Sequence, residues 1–145
     1  MQEAHIDHSE LDRLVEKWAQ MPQVMKDAKR QALETAAPKL KAAVDSEIGG
    51  TGKVRSWQEG YVGTKGGYAK ARPKAETWAE KTKKKGNYYA VGYVTNAINN
   101  GHLSPRARRP IAGKRFYQRA QAKAGIIAQE TAGQIVQTVV EHLEG

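Results

Sequence analysis

The chain has 145 residues, contains no cysteine and carries a formal net charge of +9. Its length suits one domain, and the absence of cysteine excludes disulfides and thiolate catalysis. Only 39% of the residues are hydrophobic, which predicts a thin core that neighbouring subunits help to complete. Since the chain has neither a signal-peptide pattern nor an apolar run of about 20 residues, the sequence predicts a soluble single domain over 1–145.

The positive charge is concentrated in the middle of the chain. Residues 53–85 carry a net charge of +7 and residues 106–123 another +7, which leaves −5 for the remainder. Such an asymmetry creates a local field that suits phosphate backbones or an acidic protein partner. Solvated basic loops that only keep the protein soluble are an equally simple explanation.

Residues 9–48 are predicted to be helical. A first helix places Leu11, Leu14, Val15 and Trp18 on one face, and Pro22 suits the first turn of a second helix. Pro38 lies inside that second helix and is predicted to kink it. Because the second apolar stripe consists mostly of small side chains, its packing partner must come close; the stripe comprises Met25, Ala28, Ala32, Leu33, Ala36, Leu40, Ala43 and Val44.

Residues 53–95 are predicted to form a small antiparallel sheet. Val54–Tyr61 is expected to be extended, and a strand within 76–82 is expected to pair with a strand at Tyr88–Thr95. Thr64–Lys74, which is rich in glycine and basic residues, is predicted to be a mobile loop, and 96–112 a second irregular loop.

A long helix is predicted over 113–143. Gly125 and Gly133 weaken it locally and are expected to mark close contact with another helix. The fold class is therefore α+β, with a small antiparallel sheet packed against two N-terminal helices, the second kinked at Pro38, and one long C-terminal helix. Its apolar stripe comprises Phe116, Ala120, Ala124, Ile127, Thr131, Ile135, Val139 and Leu143.

The residues with reactive side chains form no recognisable catalytic motif. The glycines before Lys53 resemble a phosphate-binding loop, but Glu47 and Val54 occupy positions where that loop needs Gly and Ser or Thr. His5 and His8 lack the general-base glutamate of a metalloprotease, and no nucleophile elbow is present. We therefore expect a protein that is not an enzyme and has no cofactor or metal.

Three short segments resemble a known family. Thr51-Gly52-Lys53-Val54-Arg55-Ser56-Trp57 is similar to the helix-to-strand junction of the small neck or tail-completion proteins of tailed bacteriophages. Asn99-Asn100-Gly101-His102 resembles the element that follows the family's last strand. Ile111-Ala112-Gly113-Lys114-Arg115-Phe116 resembles the start of its final helix. The order of these segments over about 9–143 carries the resemblance.

The resemblance implies a non-catalytic virion protein that joins the head connector to the tail, as part of a neck or tail-completion ring. It implies a location at the head–tail interface of the virion, and in the host cytoplasm during assembly. Expected partners are other neck, connector or tail proteins, further copies in a homo-oligomeric ring, and packaged DNA through non-specific contacts; no membrane is expected.

Two sets of residues are predicted to serve this role. The assembly or partner-binding set comprises Lys65, Lys70, Arg72, Lys74, Lys83, Lys84, Lys85, His102, Arg106, Arg108 and Arg109. The structural junction set comprises Thr51, Gly52, Trp57, Gly101, Gly113 and Phe116.

The alternative is a basic nucleic-acid-binding module that contacts the phosphate backbone without sequence specificity. Tyrosines interleaved with basic residues suit base stacking, although the same tyrosines also suit a half-buried sheet. This module would use Lys81 together with the basic residues at 83–85, 106, 108 and 109.

Overall fold

The computed structural model describes residues 8–49, 53–75, 77–80, 88–104 and 106–145. The fold is broadly α+β, as predicted. Among the described residues, no helix combines the length and apolarity needed to cross a bilayer. In chain order the elements are α1 His8–Ile48, α2 Lys53–Ser56, β1 Gln58–Val62, β2 Ala69–Pro73, β3 Trp78–Glu80, β4 Tyr88–Ala90, α3 Val91–Asn100, β5 Gly101–Leu103, β6 Pro110–Ala112 and α4 Phe116–Glu144.

The N-terminal region is one helix rather than the two predicted. α1 has 41 residues and continues through both Pro22 and Pro38, which gives it a length of about 60 Å. Each proline removes one backbone donor at a cost of roughly 3 kcal/mol. Contacts with α4 and with the β1–β2 ribbon offset that cost. The kink at Pro38 stays a prediction.

Most small residues of the predicted α1 stripe are buried, but its first member, Met25, is 51% exposed, and Met21 and Ala37 are buried in addition. Ala28, Ala32, Ala36 and Val44 are each at most 4% exposed. The close partner is β1, because a Cβ added to Gly60 would lie 2.6 Å from the carbonyl carbon of Ala37 and closer still to its oxygen. Small side chains on α1 and a glycine on β1 thus let strand and helix approach within backbone contact.

The expectation that the α4 glycines make this close contact was wrong. A Cβ at Gly125 or Gly133 would meet no described atom within 4 Å. The predicted stripe of α4 nevertheless faces inward: Phe116 and Ala120 are buried, and the later members are half-buried. α4 runs antiparallel to α1, since Arg119 bonds Glu47, Lys39 bonds Glu130, and Lys17 bonds the carbonyl of Leu143.

The predicted mobile loop at Thr64–Lys74 contains a strand. β2 pairs with β1 in antiparallel register from Gln58↔Pro73 to Val62↔Ala69. Ala69 and Ala71 are half-buried, whereas Lys70 between them is exposed, so alternation turns the small residues inward and the lysine to solvent. Ala71 packs on the main core cluster, which contains Ala43, Val44, Phe116 and Ala120.

Within the described ranges, the single sheet predicted for 53–95 is replaced by the two-stranded antiparallel ribbons β1–β2 and β3–β4, and a third ribbon, β5–β6, follows this segment. Lys53–Ser56, expected to be extended, is one helical turn. β3 pairs with β4 as expected, with Trp78 opposite Ala90. The pairing strand ends at Ala90, however, and the rest of the predicted strand is helical.

α3 replaces both the end of that strand and the start of the predicted irregular loop. Val91, Thr95 and Asn99 are buried at a spacing of four residues, and the Thr95 hydroxyl donates to the carbonyl of Val91 at 2.7 Å. The alternating segment therefore fits a helical period as well, because residues four apart share a face. Further along, β5 and β6 pair from Gly101↔Ala112 to Leu103↔Pro110, which also corrects the irregular loop.

The close approach of the C-terminal end of α3 to the segment before α4 depends on two glycines. Gly101 has φ +98°, a left-handed value that favours glycine. At Gly113, an added Cβ would lie 2.5 Å from the carbonyl carbon of Asn100. The Asn99 side chain accepts from the amide of Tyr117 at 3.0 Å, so one buried amide bonds the first turn of α4.

A hydrogen bond between the buried Gln58 and the half-buried Tyr117 connects α4 with β1. Gln58 is fully buried; its amide nitrogen donates to the carbonyl of Val54 at 3.1 Å, and its oxygen accepts from the Tyr117 hydroxyl. Burial raises the pKa of Tyr117 well above its usual range, which keeps the hydroxyl protonated as a donor.

Replacing Tyr117 with phenylalanine is expected to lower the free energy of unfolding by about 1–3 kcal/mol, because it leaves the Gln58 oxygen buried without a donor. Urea unfolding followed by circular dichroism measures this loss. The double variant with Gln58→Leu is the control, since removing both polar groups is expected to restore part of the stability. A Tyr117→Phe variant as stable as the parent would contradict the role given to the bond.

Candidate assembly surface and basic cleft

The first turns of α1 expose an apolar strip formed by Leu11, Leu14, Val15 and Trp18. These side chains are 41%, 46%, 66% and 57% exposed, respectively. Their spacing of three and four residues places them on one side of the helix. Single exposed apolar residues are ordinary, but a stripe of four that includes a tryptophan is typical of an interface.

Near the strip, hydrogen bonds hold the N-terminal end of α1 to the C-terminal end of α4. The guanidinium of Arg13 donates to the carbonyl of Gly145 at 3.0 Å, and the Lys17 ammonium donates to those of Leu143 and Gly145. His142 Nε2 lies 3.2 Å from the carbonyl of Lys17. Basic groups at the C-terminal end of α4 also complement its dipole, so the strip is presented on a well-anchored helix.

A second surface, which we call the basic cleft, lies between α1 and the turn that joins β1 to β2. It has a volume of about 340 Å³. Its cationic side chains are Lys26, Lys29 and Arg30 from α1 and Lys65 from the turn; Met25, Gly66 and Ile135 complete the lining. No described lining residue is acidic.

The four cations of the basic cleft have no ion-pair partner among the described residues. By contrast, Glu47 at the C-terminal end of α1 forms ion pairs with both Arg119 and Lys123, and these hydrogen bonds lower the pKa of Glu47. The β1–β2 turn has a defined shape, since the amide of Gly66 donates to the carbonyl of Gly63 at 2.7 Å and φ of Gly66 is +63°. The cleft therefore holds uncompensated positive charge on two connected elements.

The predicted basic residues in and beside the β1–β2 ribbon lie in different environments. Lys65 lines the basic cleft. Arg72 is engaged internally: its Nε donates to Glu59 at 2.9 Å, and its guanidinium carbon lies 3.5 Å from the centroid of the Tyr61 ring. The Lys70 ammonium lies 5.8–5.9 Å from the Tyr61 and Tyr68 rings. Lys74 is exposed, and its amide donates to the carbonyl of Trp57 at 2.7 Å.

The remaining predicted partner residues lie elsewhere. His102, Arg106, Arg108 and Arg109 are exposed on the β5–β6 hairpin, whose turn is closed by the amide of Ser104 bonding the carbonyl of Arg109 at 2.8 Å. None of them lines the basic cleft. The predictions for Lys81, Lys83, Lys84 and Lys85 fall outside the described residues.

The junction residues are placed as follows. Trp57 is half-buried between α2 and β1, and Phe116 is 1% exposed in the core cluster. Gly101 and Gly113 lie where the end of α3 approaches the segment before α4. Thr51 and Gly52 fall outside the described residues, as does His5.

In the part of the chain that is described, no group of three His, Cys, Asp or Glu residues is arranged to hold a metal.

Sequence reasoning missed the α1 members of the cleft, Lys26, Lys29 and Arg30. They lie in a helical segment outside the two regions of highest positive charge, 53–85 and 106–123. Their spacing of three and four residues was the available signal, because it places basic groups on one helix face. Pairing that face with Lys65 required the tertiary structure.

Comparisons of the chain with protein-family models, with curated proteins and with solved structures found no match.

Proposed function

We propose that the protein is a non-catalytic subunit of a neck or tail-completion ring that joins the head connector and the tail of a tailed phage or prophage. The proposal starts from the resemblance of the Thr51–Trp57, Asn99–His102 and Ile111–Phe116 segments to that family. The structural observation that supports it best is the exposed apolar strip on the first turns of α1, where hydrogen bonds hold α1 to α4.

The strip supports assembly because of its size and position. A partner that covers the strip would stabilise the complex by roughly 25 cal/mol for each Å² of apolar surface removed from water. A partner that covers the strip therefore gains free energy without rearranging the fold. In a cyclic ring the strip of one subunit contacts a different surface of the next, which gives a head-to-tail interface.

The distribution of charge supports the same arrangement. The sequence is acidic outside its two basic regions, and the end of α1 and α4 that carries the strip has five acidic residues against Arg13 and Lys17. These acidic residues are Glu10, Asp12, Glu16, Glu141 and Glu144. The basic cleft and the β5–β6 turn carry the opposite charge. Contacts between unlike surfaces of neighbouring copies orient the subunits and disfavour symmetric pairing of like charges.

Substituting Leu14 and Trp18 together with glutamate is expected to abolish joining of purified head connectors to tails, while the protein stays folded. Both side chains are largely exposed, so their loss costs little in the isolated subunit, but two carboxylates in a buried contact cost several kcal/mol. Joining is measured by electron microscopy and by the yield of complete particles. Melting temperature and circular dichroism report the fold.

The matched control is Ile126→Glu, which changes an α4 side chain that is 62% exposed and lies outside the strip. This variant is expected to join heads and tails normally. If the Leu14/Trp18 variant joins them as well as the parent does, the strip is not the assembly surface. If the parent protein binds neither connectors nor tails, the proposed function itself is wrong.

A basic nucleic-acid-binding module is the second candidate function. It is favoured by one observation, the four unpaired cations of the basic cleft.

A further inference from the structure

We propose that the basic cleft is a binding site for the phosphodiester backbone of duplex DNA, contacted without reading of the bases. The inference concerns Lys26, Lys29, Arg30 and Lys65, and it holds whether or not the chain belongs to a phage neck. It would give the protein a DNA-contacting surface separate from the apolar strip.

The arrangement of the cations suits a chain of phosphates better than one isolated anion. Three of them occur at i, i+3 and i+4 on α1, and the fourth projects from a different element. A site for a single phosphate would have converging backbone amides. The amide of Gly66 in the cleft already donates to Gly63. Charges spread over an open surface match DNA, which carries one phosphate per roughly 1.7 Å of helix axis.

The lining explains why we expect no base specificity. Besides its cations, the cleft presents Met25, Gly66 and Ile135 and no amide or carboxylate side chain. Base edges are read by bidentate Asn, Gln, Arg or acidic groups placed in a groove. Lysines and an arginine held at the surface contact phosphates and set position instead.

The tyrosines of the β1–β2 ribbon do not line the basic cleft, so base stacking is not part of the proposed contact. Stacking of unpaired bases needs open aromatic faces. The guanidinium of Arg72 lies over the Tyr61 ring. The Tyr68 ring lies over Gly63, since a Cβ at that glycine would be 2.5–2.9 Å from three ring carbons. One face of each ring is thus occupied by the protein.

The test measures binding of a fluorescent 20-base-pair duplex of arbitrary sequence by anisotropy at several salt concentrations. The full-length parent is compared with a cleft variant that combines Lys26→Gln, Lys29→Gln, Arg30→Gln and Lys65→Gln. We expect the parent to bind with a steep salt dependence. If all four side chains contact phosphates, the slope of log K against log salt falls by roughly 3.6 in the variant. Two duplexes of different sequence are expected to bind equally.

The control variant removes the same charge elsewhere through Lys53→Gln, Arg55→Gln, Lys114→Gln and Arg115→Gln. All four side chains are exposed and have no ion pair among the described residues. We expect this variant to keep at least half of the parent's salt slope. An equal loss in both variants would show that net charge, and not the cleft, holds the DNA, and would overturn the proposal.

Two further outcomes also overturn it. One is absence of duplex binding by the parent at low salt. The other is a cleft variant that binds DNA normally but changes self-association in sedimentation, which would assign the cleft to an acidic surface of another copy. Circular dichroism confirms that each variant is folded, and the four single variants, each expected to lower the slope by about 0.9, replace the combined variant if it fails to fold. Head–tail joining is scored separately, so failure of either proposal is recognised independently.

Discussion

The substitution Gly60→Ala is expected to lower the free energy of unfolding by about 3 kcal/mol. The new methyl group would lie 2.6 Å from the carbonyl carbon of Ala37, so β1 must move away from α1 or the helix must bend. Overpacking of this kind typically costs about 1–3 kcal/mol and sometimes more. The usual advantage of alanine over glycine in a strand, about 0.5–1 kcal/mol, is too small to offset it.

Urea unfolding of this variant should be compared with that of Gly133→Ala. The control makes the same chemical change in α4, where an added Cβ meets no described atom within 4 Å. It is expected to increase the free energy of unfolding by up to about 1 kcal/mol, because alanine favours helix. Equal stability of the two variants would show that the contact between Gly60 and α1 does not constrain the fold.

The substitution Phe116→Ala is expected to lower the free energy of unfolding by about 3–5 kcal/mol. The ring is 1% exposed and packs in a cluster with Ala43, Val44 and Ala120. Small alanine side chains are poorly able to move into the space that the ring would leave, so the cavity is expected to persist. For a chain of this length such a loss lowers the melting temperature by roughly 10 °C.

Calorimetry with the parent and with Ile126→Ala checks this expectation. Ile126 lies on the same helix and is 62% exposed, so its truncation is expected to change stability by no more than about 0.5 kcal/mol. If Phe116→Ala has the same melting temperature as the control, α4 is not anchored through its first turn.

The helical parts of this protein were largely predictable because their pattern repeats over many residues. The stripe from Phe116 to Leu143 forms the inward face of α4, and the alanine stripe of α1 is buried against neighbours. Pro22 misled the prediction, since a proline that suits a helix start also fits inside a helix when packing on both sides outweighs the lost bond.

The short elements in the middle were not predictable in the same way. Tyr88–Thr95 alternates as a strand should, yet its second half is α3, because Val91, Thr95 and Asn99 also share a helical face that the core buries. Thr64–Lys74 has the composition of a loop, but Ala69 and Ala71 pack inward when β1 pairs with β2. The tertiary contacts of such short segments decide their secondary structure, because their intrinsic helix and strand propensities are nearly equal.

The candidate site shows the same division. The net charge of residues 53–85 and 106–123 indicated Lys65 and the basic β5–β6 turn, but no local pattern related Lys65 to residues 26–30 of α1. Nor did it predict that Arg72 would be taken up by Glu59 and Tyr61.

The sequence by itself determined the helical character of 9–48 and 113–143, the small-residue face that lets the N-terminal helix approach a strand, and the excess of positive charge. These properties are carried by repeats and composition, which each residue expresses locally. Only the tertiary structure decided which cations stay unpaired and share a cleft, which apolar side chains remain in solvent, and where glycine is required. Those outcomes depend on contacts between residues far apart in the chain, and the free energy of such contacts exists only once the elements have packed.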